Sequence, residues 1–341
     1  MRAAVLSSPY QLTVSDISLP QPGQGEVLVR LRCTAVCGTD VSIYTGKICI
    51  SYPRILGHES TGEVAAVGTG VKNVREGDRV ILNPIVFCGR CPQCLSGNVN
   101  LCENGGLMGR EVDGTFAEYV VVPDYQVIGL PASISFEDGT SLVALATVAR
   151  SHTKIRISPG DSVAVIGLGT VGLMQVQMAL MSGANPVYAI TRSKWKLDMA
   201  ERFGAVPISA ETDDAVRRVL NSTGGQGADV VIESTGSGMA LRQAMYMVRP
   251  GGQVLAFGIL HGSVDDFSGY AMYFKELTLV GSRGMTPADF RRAIKVVESG
   301  KVDISPFITH RFDLADTKDA LDLVDKTPGR VLRVTVNVQA S

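Results

Sequence analysis

The sequence predicts an α/β protein in two parts: a β-rich, partly barrel-like domain and a doubly wound parallel sheet. Three observations carry this. A length of 341 residues exceeds one ordinary core and calls for two domains. Residues 1–143 read as short apolar runs split by Gly, Pro and Asp. From 144 to 283, apolar strands alternate with helical periods at βαβ spacing.

In chain order, Glu26-Val27-Leu28-Val29-Arg30-Leu31 and Gly62-Glu63-Val64-Ala65-Ala66-Val67-Gly68 typify the first texture. Ser162 to Ile166 is a buried strand, and Leu173 to Met181 is a helix closed by Ser182-Gly183. Val187–Ile190, Asp229–Ile232, Gln253–Phe257 and Leu277–Val280 are the strands that follow. The segment 284–341 holds a helix over Ala288–Ser299 and a strand over Arg330–Val338. Too short to be a domain, it is expected to rejoin 1–143, leaving 144–283 as the second domain.

A net charge of -1 offers no broad basic surface, so nucleic acid is not an expected partner. No run approaches the ~18 apolar residues of a membrane span, and the N-terminus has no signal-peptide core. The expected compartment is the cytoplasm. There the seven cysteines stay reduced and serve as metal ligands or core fillers.

Gly167-Leu168-Gly169-Thr170-Val171-Gly172 follows a strand and opens a helix, the context that a G-x-G-x-x-G match requires. Gly167 permits the tight turn, Gly169 admits a pyrophosphate to the backbone, and Gly172 allows close helix–strand packing. The diphosphate then rests on a helix N-terminus. A nicotinamide-dinucleotide site usually ends its second strand with an acid for the ribose 2′-hydroxyl. Here Thr191, Arg192 and Ser193 stand there instead. No carboxylate repels a 2′-phosphate and Arg192 offers a forked donor, so NADP is expected over NAD; a solvated Arg192 with relaxed cofactor choice is the other reading.

Cys88-x2-Cys91-x2-Cys94-x7-Cys102 presents four thiols from one short lobe, as a tetrahedral zinc requires. An iron–sulfur cluster or free thiols and disulfides are the alternatives, but the bacterial cluster run ends in x3-C-P and this one does not. Four thiolates fill the coordination sphere, so this zinc is structural. Cys37-Gly38-Thr39-Asp40 and Gly57-His58-Glu59 are weaker singly. Together they supply a thiol, an imidazole and carboxylates for a metal with an open position.

With these motifs in this order, the chain resembles the zinc-dependent medium-chain alcohol dehydrogenase superfamily over essentially its whole length. Within it, the chain is most similar to the polyol, threonine and sugar-acid dehydrogenase branch. Ser51-Tyr52-Pro53-Arg54-Ile55-Leu56-Gly57-His58-Glu59, Val280-Gly281-Ser282-Arg283 and Ile308-Thr309-His310-Arg311-Phe312 support that placement. The resemblance implies a GroES-like catalytic domain (1–143 and 284–341) and a Rossmann-type nucleotide domain (144–283). It implies that Cys37 and His58 ligate a catalytic zinc, that Thr39 bonds the reacting hydroxyl, and that Asp40 orients His58. Arg333 matches a cofactor pyrophosphate contact. Homodimers or homotetramers are implied, often by pairing of nucleotide-domain sheets.

Two departures stand out. The family's third ligand falls near 142–143, where this chain has Leu142 and Val143; Glu137 and Asp138 lie about one turn too early. Glu59 is the expected replacement, and a weak or empty site is the alternative. A histidine often found after the C-x-T-D motif is absent, so Ser42, water or a ribose would carry the proton. Tyr44, Ile48 and Ser51 are expected beside the substrate.

The expected function is a zinc-dependent dehydrogenase passing hydride between NADP(H) and a secondary alcohol or ketone of a polyol, sugar acid or hydroxy amino acid. A zinc-free reductase of the quinone or enoyl type is the runner-up, followed by a nucleotide-binding protein with a degenerate metal site.

Overall fold

A computed structural model describes residues 1–260, 264, 267, 269–327 and 329–339. The chain divides into two compact units, Met1–Ala146 with Met285–Ile294 and Ile304–Ser341, and Thr147–Gly284 with Lys295–Asp303.

The first unit is β-rich. Its seven-stranded sheet centres on Glu26–Ala35, which pairs antiparallel with Glu59–Val67, Tyr119–Pro123 and Arg333–Asn337. The C-terminal strand thus sits beside one from the first tenth of the chain. Side chains alternate along Glu26–Ala35, and Val27, Val29 and Leu31 enter one core with Leu6, Leu56, Phe116 and Val334. A short helix, Gly38–Tyr44, leaves the central strand at its C-terminal end. The C-terminal segment also contains a strand, Ile308–Asp313, and a helix, Thr317–Lys326, both missing from the sequence reading.

In the second unit, six parallel strands lie in the order Val206–Ser209, Val187–Thr191, Val163–Ile166, Ala228–Glu233, Val248–Ala256 and Thr278–Gly281. By sequence this is 3-2-1-4-5-6, the doubly wound order, whose direction reverses between Val163–Ile166 and Ala228–Glu233. The strands consist of Val, Ile and Ala because both faces are covered; Val163, Ala164 and Val165 are each 0% exposed. The strand Val206–Ser209 is not expected from the sequence. Pro207 argues against a strand, but this one lies at the sheet edge, where the missing N–H costs no ladder bond. The helix after the first strand runs Thr170–Met181, three residues longer at its start than expected.

Candidate functional site: two metal-ligand clusters and a nucleotide loop

Two groups of ligand atoms converge in the first unit, each with its members within 4.8 Å of one another: Cys88, Cys91, Cys94 and Cys102, and Cys37, His58 and Glu59.

The four cysteines come from a lobe that folds back on itself. Ile85–Val86 pairs with Gly106–Leu107, and between them lie the helix Pro92–Leu95 and the 3-10 turn Val99–Leu101. The Cys102 sulfur lies 3.5 Å from that of Cys88 and 3.9 Å from that of Cys91, and all are free thiols. Backbone N–H groups of Arg90 and Cys91 pull Cys88 down to about 6, whereas burial and its thiol neighbours push Cys94 up to about 12. Four thiolates repel one another in so small a space, and a dication removes that repulsion. The donor set therefore fits zinc.

The second cluster is assembled by the turn into Gly38–Tyr44. Cys37 is the helix N-cap, and Asp40 completes a capping box. The Asp40 carboxylate is fully buried and accepts three bonds: from the Cys37 N–H at 2.9 Å, from the Gly57 N–H at 3.0 Å and from His58 Nδ1 at 3.1 Å. It ties the two ligand-bearing loops together and leaves His58 Nε2 for a metal, the arrangement usual for a ligating imidazole. Burial opposes charge on His58, but the Asp40 carboxylate and the Cys37 thiol outweigh it, holding its pKa well above the ordinary range. A surrounding that stabilises a proton on His58 also stabilises a metal cation in its place. Thr39 and Ser42 lie partly exposed on the same helix.

Glu59 is 5% exposed, and Arg333 donates to it through Nη2 at 2.7 Å. The same nitrogen donates to the Thr140 carbonyl at 2.8 Å. Arg333 is 3% exposed and its Nε has no partner among the described residues. Arg333, expected at a cofactor pyrophosphate, thus spends Nη2 on Glu59 and the Thr140 carbonyl. The sequence gives no sign of this pairing, because the two residues are 274 positions apart.

Leu142 and Val143 are buried apolar residues of the helix Ser141–His152. Neither earlier carboxylate replaces them. Glu137 is bound by Arg311 at 2.7 Å and by the Thr335 hydroxyl at 3.0 Å, and Asp138 exchanges bonds with Ser135. Glu59 is the carboxylate of this cluster. Tyr44 is 0% exposed and bonds Asp322 at 2.8 Å, so it lines no substrate space, contrary to expectation. Ile48 is partly buried and Ser51 exposed. Cys33 is buried, Cys49 is exposed, and neither joins a ligand cluster among the described residues. His152 bonds Gln175 and His310 bonds Thr309; His261 lies outside the described residues.

In the second unit, Gly167 follows the strand Val163–Ile166 with φ +90°, a conformation that L side chains rarely adopt. A Cβ on Gly172 would lie 1.8 Å from the Gly167 carbonyl oxygen, so helix and turn meet too closely for any side chain. Gly169 is the N-cap of Thr170–Met181 and faces open space. Leu168 is buried, while Thr170 and Val171 are partly exposed. The Ser234 hydroxyl, on the strand end beside Gly167, is buried without a partner among the described residues. Open backbone at a helix N-terminus next to an orphaned hydroxyl fits a dinucleotide. Thr191 ends its strand, Arg192 is exposed, and Ser193 caps Lys194–Arg202 without spending its hydroxyl on that helix.

Residues 23–132 match the family model described as Alcohol dehydrogenase GroES-like domain, and residues 170–299 that of Zinc-binding dehydrogenase. The chain is 35% identical to L-threonine 3-dehydrogenase of Pyrococcus furiosus, over 89% of this chain and 88% of that one. It is 32% identical to L-galactonate-5-dehydrogenase of Escherichia coli K12, over 92% of each. A crystal structure from Sinorhizobium meliloti 1021, described as a zinc-binding dehydrogenase bound to NADP, superposes with a TM-score of 0.92 at 31% identity, covering 99% of both chains.

Proposed function

The chain belongs to the zinc-dependent medium-chain alcohol dehydrogenase superfamily, in its polyol, threonine and sugar-acid branch, and from that premise we propose a zinc enzyme that uses Glu59 as its third protein ligand and prefers NADP(H). Membership of the branch makes it an oxidoreductase of CH–OH donors. The observation that carries the proposal is the convergence of Cys37, His58 and Glu59 within 4.8 Å, with His58 already fixed by Asp40.

Cys37, His58 and Glu59 would hold a zinc ion, which would supply a Lewis acid for the substrate hydroxyl. A nicotinamide dinucleotide on the 167–172 loop supplies the hydride acceptor. The chain's own residues do the rest. Asp40 holds His58 in the orientation a ligand needs. The Thr39 hydroxyl takes the alcohol proton as it hands its own on to Ser42, water or a cofactor ribose. Arg333 fixes the Glu59 carboxylate. Arg192 and Ser193 hold a 2′-phosphate where an acid would have held a 2′-hydroxyl.

The substrate class is a small polyol, sugar acid or hydroxy amino acid with a secondary hydroxyl. The active form is a homodimer or homotetramer assembled through the second unit's open sheet edge. That edge strand, Thr278–Gly281, exposes Leu279, and the helix Gly269–Phe274 before it exposes Tyr270, Tyr273 and Phe274.

A panel of aldonates, polyols and L-threonine, run with NADP+ and NAD+ on protein of known zinc content, tests the reading. Oxidation of a secondary hydroxyl with at least about tenfold higher kcat/KM for NADP+ is expected. A tenfold preference for NAD+ overturns the cofactor assignment, and failure on every member overturns the substrate class.

A further inference from the structure

At the point where the second unit's strand order reverses, Ile166 and Glu233 are paired neighbours at the ends of their strands. Ile166 leads into the Gly167 turn and Glu233 into Ser234-Thr235-Gly236. The two turns touch: a Cβ on Gly167 would lie 2.3 Å from Thr235 Cγ2 and 3.4 Å from the Ser234 carbonyl carbon. The nucleotide loop therefore rests on residues 234 and 235.

Glu233 is 0% exposed, yet neither Lys nor Arg bonds its carboxylate among the described residues. Its partners are the turn itself. Oε1 accepts from the Thr235 N–H at 2.6 Å, from the Thr235 hydroxyl and from the Gly236 N–H at 3.1 Å; Oε2 accepts from that last N–H at 3.2 Å. The Glu233 carbonyl also accepts from the Phe257 and Gly258 N–H groups, at 2.9 and 3.0 Å. A buried carboxylate is costly to place, and it persists where several donors converge on it. Here the donors belong to the turn that supports the phosphate loop and carries the orphaned Ser234 hydroxyl.

We propose that Glu233 is a positioning residue for the dinucleotide: its carboxylate locks the 234–236 turn, and that turn holds the Gly167 loop and Ser234 in the form the cofactor binds. The proposal rests on the dinucleotide reading above. Without the lock, cofactor binding must order the turn, and affinity falls while the metal clusters of the other unit are untouched.

The test is fluorescence titration of NADPH and NADH into wild type, Glu233→Gln and Thr235→Val. Gln keeps the shape but turns one acceptor into a donor facing donors; Val at 235 deletes one donor on an exposed residue. NADPH Kd is expected to rise about tenfold in Glu233→Gln and about threefold in Thr235→Val, less than additively in the double variant, with zinc content and alcohol KM at saturating cofactor unchanged. Thr235→Val decides the matter if Glu233→Gln does not fold. Variant Kd values within twofold of a wild type that binds overturn the role of Glu233. A wild type that binds neither dinucleotide overturns the functional reading itself.

Discussion

Arg333 holds the Glu59 carboxylate at 2.7 Å, with both side chains almost wholly out of water. The pair joins the last strand of the first unit to the G-H-E turn, and it governs the carboxylate of the Cys37 cluster. Removing one partner of a buried pair strands the other. Arg333→Met is expected to lower unfolding free energy by about 3 kcal/mol, read from urea denaturation, because Glu59 and the Thr140 carbonyl both lose their donor. A loss below about 0.5 kcal/mol would show the pair to be dispensable.

Asp40 predicts a different signature. Its carboxylate orients His58 and braces the Cys37 and Gly57 N–H groups without being a ligand in the cluster. Asp40→Asn should weaken zinc binding at Cys37, His58 and Glu59 by about 10- to 100-fold and leave the four-cysteine zinc in place. Competition with a chromophoric chelator measures both sites; equal loss at both would indicate general unfolding.

How far these features are readable from sequence depends on their range. The capping box, the C-x2-C spacing and the glycine loop are local, so each shows in a few residues. The Asp40–His58 contact spans 17 intervening positions but joins two recognised motifs. Arg333–Glu59 is invisible, because sheet register between the chain's ends brings it about. Glu233 carried a weak signal: an acid closing an apolar strand just before Ser-Thr-Gly. Val206–Ser209 was hidden by Pro207, whose penalty vanishes at an edge.

His152 gives a pH prediction. Burial lowers its pKa from 6.5 to about 4. Between these values the unfolded chain binds more protons than the folded one, so stability rises with pH. The contribution is complete above pH 6.5 and lost as pH falls towards 4, at up to ~1.4 kcal/mol per pH unit. His152→Gln should flatten that part of the stability–pH curve relative to wild type; parallel curves would contradict it.

The sheet edge gives a prediction about assembly. Leu279 is 40% exposed on the strand that ends the second unit's sheet. Leu279→Lys puts a charge where two such edges would pair, and light scattering should report a shift from dimer or tetramer towards monomer with fold intact. An unchanged mass would place the interface elsewhere.

Zinc counting tests the central claim most directly. Elemental analysis of protein purified without chelator should give about two zinc ions per chain in wild type and about one in His58→Ala, with dehydrogenase activity lost along with the missing ion. One zinc in both proteins, with wild-type turnover in His58→Ala, would contradict a catalytic zinc at Cys37, His58 and Glu59.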